Sequence, residues 1–273
     1  MTPLHDAPPP FIFHAGTEPL LVSIPHVGTY LPPELAARLT DAACQVPDTD
    51  WHLDRLYAFA KDLGASILMA THSRYVVDLN RPRDGSSLYP GQSVTGLCPV
   101  DLFDGTSLYK GGVGPDAPET AARVDALWQP YHDQLRSELT RLRDRHGIAM
   151  LWDAHSIRSV LPRFFEGRLP DLNLGTADGA SCDSVLARTL LDIAQSVPGH
   201  SAVLNGRFKG GHITRHYGSP AKGIHAAQLE LTQCSYMMES LPFDYLPERA
   251  EPLQAQLCRL LEAMLAHARR PAA

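Results

Sequence analysis

Cysteine is scarce in this sequence, and its few cysteines are not arranged for disulfides or for a thiolate metal site. The five residues are Cys44, Cys98, Cys182, Cys234 and Cys258, an odd number without a Cys-x-x-Cys pair. This pattern indicates reduced thiols in a reducing compartment. The sequence also lacks an N-terminal signal peptide and any run of about 18 apolar residues that would span a membrane. We therefore expect a cytoplasmic protein without membrane spans.

Basic runs and nucleotide-binding motifs are absent as well. The 273 residues include 24 Lys and Arg against 30 Asp and Glu, which gives a net charge of −6. Without a basic patch, the sequence lacks the electrostatic signature of binding to nucleic acid or to anionic membranes. The Gly-x-Ser-x-Gly elbow, the P-loop and the Gly-x-Gly-x-x-Gly fingerprint do not occur. The expected partner is therefore a small molecule.

Composition and length predict one globular α/β domain. Apolar residues make up 44% of the chain and charged residues 20%, which is ordinary for a globular protein. We find no internal repeat and no domain boundary, so residues 1–273 are expected to form a single unit. Residues 1–10 are a proline-rich lead that we expect to be poorly ordered. Residues 84–118 are rich in glycine, proline, serine and aspartate, and a loop of that length predicts a rim or lid over a site.

Apolar runs and helical periodicity alternate along the chain, as expected for an α/β fold. Strands are predicted over 20–24, 65–70, 74–79, 148–156, 201–204 and 226–232, with a short edge strand at 11–13. Helices are predicted over 32–39, 48–63, 119–146, 181–195 and 247–269, with Ser181 as an N-cap and Pro130 at a kink or break. Residues 158–179 are expected to be a loop.

Two of the predicted strands deliver a histidine at their carboxyl end. The run Ile-Ala-Met-Leu-Trp-Asp-Ala-His-Ser at 148–156 ends with His155 and Ser156, and strand 20–24 is soon followed by His26. Ligands bind at the carboxyl ends of strands in open α/β sheets. One such histidine could be a hydrogen-bonded residue at the rim. Two in the same position indicate a metal, because neutral imidazole is the commonest metal ligand.

A catalytic zinc site needs about three protein ligands and an open position for water. His26 and His155 are the candidates for two of these ligands. Asp48, Asp50 and Asp54 compete for the third position. A carboxylate at the start of a helix could instead serve as its N-cap, so the choice among the three aspartates stays open.

His212 and His216 form a weaker candidate pair. They are four residues apart, as in the His-Glu-x-x-His zinc motif. However, Ile-Thr-Arg lies between them without a glutamate, and glycines flank the pair on both sides.

Glu230 and Arg81 are candidates for a general base and a carboxylate-binding group. Glu230 interrupts an apolar strand, where a charged side chain is costly unless it is compensated. It could face outward, or it could face the metal and accept a proton from water. Arg81 follows Asn80 at the end of a predicted strand, and its guanidinium fork suits a carboxylate. Other basic residues near this edge could simply be solvated; they are Arg74, Arg83, Arg158, Arg163, Arg207, Lys209 and Arg215.

Several motifs together resemble the N-formylglutamate deformylase (N-formylglutamate amidohydrolase) family. They are Ser-Ile-Pro-His-Val-Gly at 23–28, Asp-Thr-Asp-Trp-His-Leu-Asp-Arg-Leu-Tyr at 48–57, Ser-Arg-Tyr-Val-Val-Asp-Leu-Asn-Arg-Pro at 73–82, Leu-Tyr-Pro-Gly-Gln at 88–92, Asp-Ala-His-Ser at 153–156 and Gly-Gly-His-Ile-Thr-Arg at 210–215. The likeness runs over nearly the whole chain. It implies hydrolysis of N-formyl-L-glutamate to L-glutamate and formate, the last step of one histidine-degradation route.

The chain is also similar in layout to the zinc carboxypeptidases, which order their parts as histidine, acidic ligand, Asn-Arg clamp, histidine and late glutamate base. This resemblance implies a three-layer α/β sandwich with a mixed, mostly parallel central sheet, of the phosphorylase/hydrolase-like type. The His-x-x-Glu pair of the carboxypeptidases is missing, since Thr29 stands three residues after His26. The acidic ligand is therefore the position that the resemblance defines least.

The resemblance further implies individual roles. Zn²⁺, or another divalent metal, would be held by His26, Asp50 and His155, with Glu230 as the catalytic base. Two alternatives stay open: a related zinc deacylase or carboxypeptidase acting on another N-acyl amino acid, and a non-catalytic dicarboxylate-binding protein. The residues expected to bind the substrate are Asn80, Arg81, Arg74, Arg163, Lys209, His212 and Arg215.

Overall fold

A computed structural model describes residues 7–87, 94–196 and 199–270, and its centre is a sheet of seven strands. The strands are β1 (Phe11–His14), β2 (Leu20–Ile24), β3 (Ser66–Ala70), β4 (Ala149–Ile157), β5 (Leu172–Gly175), β6 (Ala202–Leu204) and β7 (Ile224–Thr232). They lie in the order β1-β3-β2-β4-β7-β5-β6. The β2–β3, β2–β4, β4–β7 and β5–β6 pairs are parallel, whereas β1–β3 and β5–β7 are antiparallel. The sheet is mixed and mostly parallel, as predicted.

Helices cover both faces of this sheet, which confirms the three-layer α/β prediction. Alternate residues of the central strands feed two cores: Leu20 and Trp152 pack on one face, and Leu21 and Leu151 pack on the other. Strand β4 is buried along its whole length, as expected for a strand at the centre of a covered sheet. The helices are α1 (Pro33–Ala36), α2 (Asp41–Cys44), α3 (Leu53–Leu56), α4 (Ala117–Arg123), α5 (Gln129–His146), α6 (Ser184–Gln195), α7 (His212–Tyr217) and α8 (Pro247–Ala268).

Residues 74–79 form turns, so the predicted strand at this position is wrong. The backbone N–H of Val76 donates to Ser73 O at 2.9 Å. Arg74 Nη2 donates to Asp78 Oδ2 at 2.6 Å, four residues along the chain. The apolar side chains of the segment are buried in one of the two cores. Burial without strand pairing therefore explains the apolar run.

The helix predicted over 48–63 is broken. Only α3 (Leu53–Leu56) and a 3₁₀ turn (Ala58–Lys61) form there. His52 precedes α3 with a φ of 62°, in the left-handed region. This residue separates Asp50 from the helix, so the N-cap alternative for Asp50 does not hold.

Other predicted boundaries shift as well. Asp183, not Ser181, caps α6, because its side chain accepts the backbone N–H groups of the first helical turn. The predicted loop at 158–179 contains β5. Helix α4 continues into α5 through a π-helical turn, Val124–Trp128, and Pro130 stands at the start of α5. The wide turn accommodates a residue that has no N–H to donate, so the helix does not break.

The predicted long loop at 84–118 is described at 84–87 and 94–118. It contains a 3₁₀ turn (Lys110–Gly112) and an antiparallel bridge between Asp101 and Ser107. Residues 1–6 of the proline-rich lead and the motif at 88–92 lie outside the described residues. No helix in the described ranges is both long enough and apolar enough to cross a membrane.

Candidate active site

Two histidines and an aspartate meet at the carboxyl ends of β2 and β4. His26 follows β2, His155 lies near the end of β4, and Asp50 lies shortly before α3. All three residues are buried, and their potential ligand atoms lie within 4.8 Å of one another. Asp50 Oδ2 is 3.1 Å from His155 Nδ1 and 3.7 Å from His26 Nδ1. Two imidazoles and a carboxylate are a donor set that suits Zn²⁺.

Two polar atoms of this group lack hydrogen-bond partners. His26 Nδ1 and Asp50 Oδ1 are buried, and no described residue forms a hydrogen bond with either. Buried polar atoms without partners cost free energy. A cation at this point would accept a lone pair from each of them. The site therefore fits a divalent metal held by His26, Asp50 and His155.

Two further carboxylates orient the imidazole rings. His26 Nε2 donates to Asp78 Oδ1 at 2.8 Å. His155 Nε2 lies 3.1 Å from Asp153 Oδ1. Each ring thus has its Nε2 beside one carboxylate and its Nδ1 toward Asp50. Partners of this kind fix the orientation of metal-binding histidines.

The charges within the group oppose the effect of burial. Burial alone would raise the pKa of Asp50, but the hydrogen bond from His155 and the nearby His26 imidazole lower it below its ordinary range. Burial alone would lower the pKa of His155, but Asp153 and Asp50 raise it well above the usual value. The neighbouring carboxylates thus favour the charged form of His155. A metal ion bound to this imidazole would compete with a proton for the same nitrogen.

Asp50 joins the histidines, whereas the two competing aspartates do not. Asp48 is also buried, but its carboxylate accepts hydrogen bonds from a tyrosine hydroxyl at 2.7 Å, from Phe103 N–H at 2.8 Å and from Arg158 at 3.1 Å. These bonds tie the loop at Phe103 to the core. Asp54 is exposed on α3. The geometry thus favours Asp50 as the acidic ligand.

Glu230 lies on the neighbouring strand, beside the candidate metal-binding group formed by His26, Asp50 and His155. The register of β4 and β7 pairs His155 with Glu230. Glu230 is 8% exposed and lines the same cavity as His26 and His155, so it does not face outward. Burial raises the pKa of Glu230 to about 8, against the opposing charge of His155. A carboxyl group with such a pKa can accept and return a proton near neutral pH.

The cavity above this group has a cationic and an aromatic lining. Such a lining suits a small anionic molecule with an apolar part. Along with the residues already described, the cavity is lined by Arg74, Arg81 and Arg207 and by Phe103, Phe164 and Phe208.

Arg74 forms ion pairs with carboxylates, whereas Arg81 donates hydrogen bonds to neutral oxygen atoms. Arg74 is buried, with Nη2 at 2.6 Å from Asp78 Oδ2 and Nη1 at 3.7 Å from Asp50 Oδ1, so carboxylates balance its charge. Arg81 donates from Nε and Nη2 to the carbonyl and hydroxyl oxygens of Thr95, at 2.9 and 3.0 Å. It also donates from Nη1 to the backbone carbonyl of the preceding residue at 3.1 Å. All three acceptors are neutral.

The side-chain amide of Asn80 is engaged within the protein. Its Oδ1 accepts the Ile213 N–H at 2.8 Å. Its Nδ2 donates to Asp153 Oδ2 at 3.3 Å and lies 2.8 Å from His155 Nε2. Asn80 lines the cavity but is 3% exposed. These contacts favour a role in holding the site together, and direct contact with a substrate stays a prediction.

Four residues predicted to bind substrate are not among the described residues that line this cavity. Arg163 and Lys209 form ion pairs with aspartates of nearby loops, at 3.2 and 3.1 Å. Arg215 Nε donates to a backbone carbonyl at 2.8 Å. His212 begins α7 and stacks on His216, with the ring centroids 5.0 Å apart. Burial and the charge of His216 lower the pKa of His212 to about 4.

The sequence interpretation missed several residues of the site. Asp78 and Gln228 each stand two residues from a predicted site residue, and that spacing was a usable signal at Gln228, since strand residues two apart share a face. Arg207 was treated as solvated, yet it lines the cavity and donates from Nε to Phe164 O at 2.7 Å. The cavity phenylalanines lie in loops and carry no sequence signal for this position.

Known proteins resemble this chain over most of its length. The family model described as N-formylglutamate amidohydrolase matches residues 18–237. An N-formylglutamate deformylase of Pseudomonas putida is 54% identical over 254 residues, which cover 93% of this chain and 95% of that protein. An N-formylglutamate deformylase of Pseudomonas aeruginosa is 54% identical over 257 residues, with coverage of 94% and 96%.

A solved structure supports the same fold. The N-formylglutamate amidohydrolase from Ralstonia eutropha JMP134 aligns with a TM-score of 0.81 over 96% of this chain and 99% of that chain. Its sequence identity is 23%, so this likeness concerns the fold. The family model spans most of the chain, and the two Pseudomonas relatives are more than half identical to it over nearly their full length. This chain therefore belongs to the N-formylglutamate amidohydrolase family.

Proposed function

We propose that this protein hydrolyses N-formyl-L-glutamate to L-glutamate and formate, as the last step of a histidine-degradation route in the cytoplasm. The names of its two Pseudomonas relatives support this activity. The observation that carries the proposal is the buried group of His26, Asp50 and His155, which faces Glu230 in a cavity lined by arginines. We propose Zn²⁺ as the ion held by this group.

The proposed mechanism is hydrolysis of the formamide bond with Glu230 as general base. When bound, the metal would polarise the formyl carbonyl group and lower the pKa of water at its open position. The Glu230 carboxylate takes a proton from the attacking water as the new C–O bond forms at the formyl carbon. It then gives that proton to the amide nitrogen as the C–N bond breaks, which releases formate and the free amino group of glutamate.

Arg81 is the proposed anchor for a substrate carboxylate. Its hydrogen bonds to Thr95 and to the Asn80 carbonyl use neutral acceptors, and within the described ranges it forms no direct ion pair with a carboxylate. A cation of this kind at a cavity attracts an anionic substrate. Fixing that carboxylate also fixes the position of the formyl group. Substrate contacts of the residues outside the cavity lining stay predictions.

A formate-release assay tests the proposed function. Purified protein is given N-formyl-glutamate, N-formyl-aspartate, N-acetyl-glutamate or a formylated short peptide, with and without a chelator. We expect N-formyl-glutamate to have the highest kcat/KM, with activity lost in chelator and restored by Zn²⁺. Faster turnover of another substrate would favour a related deacylase or carboxypeptidase. No turnover of any substrate by metal-loaded protein would favour a non-catalytic binding protein.

A further inference from the structure

Gln228 connects the Glu230 carboxyl group to the backbone at Gly211. It is 4% exposed and stands two residues before Glu230 on β7, so the two side chains leave the same face of the sheet. Gln228 Oε1 accepts the Gly211 N–H at 2.6 Å, and Gln228 Nε2 donates to Glu230 Oε2 at 3.4 Å. Because a backbone N–H can only donate, Oε1 must face Gly211. The amide nitrogen is therefore directed at Glu230.

The Gly211 end of this connection is held by close packing. A Cβ atom added to Gly211 would lie 2.4 Å from Asn80 Nδ2, which is too close for any side chain. Two residues further on, the Ile213 N–H donates to Asn80 Oδ1 at 2.8 Å. The turn at Gly211 thus lies directly against Asn80 and cannot shift without displacing that amide. It provides Gln228 Oε1 with a fixed hydrogen-bond donor, the Gly211 N–H.

At the other end of this connection, the orientation of the Glu230 carboxyl group depends on Gln228. Among the described residues, the Gln228 amide is the hydrogen-bond donor that reaches the Glu230 carboxyl group. A buried carboxyl group needs such a partner. A general base also has to lie within hydrogen-bond reach of the proton that it takes. Without the amide, the Glu230 side chain could adopt other staggered rotamers in the cavity.

We propose that Gln228 is a positioning residue for Glu230, which holds the carboxyl group in one orientation relative to the His26, Asp50 and His155 group. Gly211 is the fixed end of this arrangement. The inference rests on the proposed function, because it assigns Gln228 a role through the general base. Gln228 should therefore affect kcat, and it should leave metal binding and KM nearly unchanged.

The test compares Gln228→Met with a matched variant remote from the cavity. Gln256 is also a buried glutamine, 1% exposed, and its Nε2 donates to Ala194 O at 2.7 Å, which joins α8 to α6. Gln228→Met should keep stoichiometric Zn²⁺ and a near-normal KM while kcat falls ~10-fold or more, as expected when a reacting group is misplaced. Gln256→Met should lower Tm by a similar amount and keep the wild-type kcat.

A double-mutant cycle separates positioning from a general structural effect. If Gln228 acts through Glu230, then Gln228→Met should have no further effect on kcat in a Glu230→Gln background. Should Gln228→Met fail to fold, Gln228→Glu keeps an acceptor for the Gly211 N–H and directs a carboxyl oxygen at Glu230. The same loss of kcat is expected for that variant.

Three results would overturn the inference while the proposed function stands. They are an unchanged kcat in Gln228→Met, an undiminished effect of this change in the Glu230→Gln background, and a raised KM at unchanged kcat. The last result would indicate that Gln228 contacts the substrate directly. A wild-type protein that releases no formate from any substrate would refute the proposed function itself, and with it the role that Gln228 supports.

Discussion

His155 and Glu230 are register partners on the adjacent parallel strands β4 and β7. One strand thus carries a residue of the candidate metal-binding group, and its neighbour carries the proposed proton acceptor. Paired residues on neighbouring strands point to the same face of a sheet. The spacing between the two is therefore set by the hydrogen-bonded sheet, which is more rigid than a loop and gives more precise placement.

Replacing either histidine of the metal-binding group should abolish metal binding and turnover together. His26→Ala or His155→Ala removes one of about three protein ligands. Zinc content after dialysis, measured alongside circular dichroism and formate release, checks this outcome. His200→Ala is a suitable control, because His200 contacts Gln256 at 3.1 Å, away from the group. Full zinc occupancy and a near-normal rate in either test variant would show that the site is misassigned.

Glu230→Gln should keep the metal and lose ~10²-fold or more in kcat, as expected when a general base is removed. The change is nearly isosteric, so the fold should be retained. Zinc content and steady-state kinetics with N-formyl-glutamate provide the measurement. If zinc is lost instead, Glu230 is a metal ligand and another residue must act as the base.

In the metal-free protein, Glu230 should make stability fall as pH rises from 4.5 to about 8. Burial raises the pKa of Glu230 from its ordinary value of 4.5 to about 8, so within this window the folded state keeps a proton that the unfolded state has released. The free energy of unfolding therefore decreases with rising pH. Glu230→Gln cannot ionise and should remove this contribution. Urea unfolding of both chelator-treated proteins across the window tests this, and identical pH profiles would contradict it.

Arg81→Lys should impair specificity although it keeps the charge. Arg81 presents Nε and Nη2 together to Thr95, at 2.9 and 3.0 Å, and a lysine ammonium cannot reproduce that fork. We expect zinc binding to persist and kcat/KM to fall, because the formyl group is no longer held productively. The measurement compares N-formyl-glutamate with its α-amide and γ-amide. If the variant discriminates among the three as the wild type does, Arg81 is structural.

The parts of the fold that the sequence predicted well are those in which local pattern and burial agree. The strands at 20–24 and 148–156 are continuous apolar runs at the centre of a covered sheet, and both were found in place. Residues 74–79 have a similar apolar pattern, but they form turns, and their apolar side chains are buried without strand pairing. Strand β5 was missed because it is four residues long and lies in a segment rich in glycine and proline. In both cases tertiary packing outweighed local propensity.

The meeting of His26 and His155 in the candidate metal-binding group was predictable for a similar reason. Histidines at the ends of parallel strands must meet at one edge of the sheet, so His26 and His155 could be paired from sequence. The choice among the three aspartates could not be made, because it depends on the left-handed turn at His52 and on the bonds that occupy Asp48. The arginines were harder still. Their long side chains select partners only once the loops have packed.

The members of the candidate metal-binding group lie far apart along the chain, so a bound metal would affect the stability of the whole fold. His26, Asp50 and His155 come from separate segments, so no short fragment contains the site. An ion bound there would act as a removable cross-link, and it would favour the native state by mass action because the unfolded chain offers only scattered donors. If the proposed metal is needed for activity, its depletion would stop catalysis and also make the protein more susceptible to proteases.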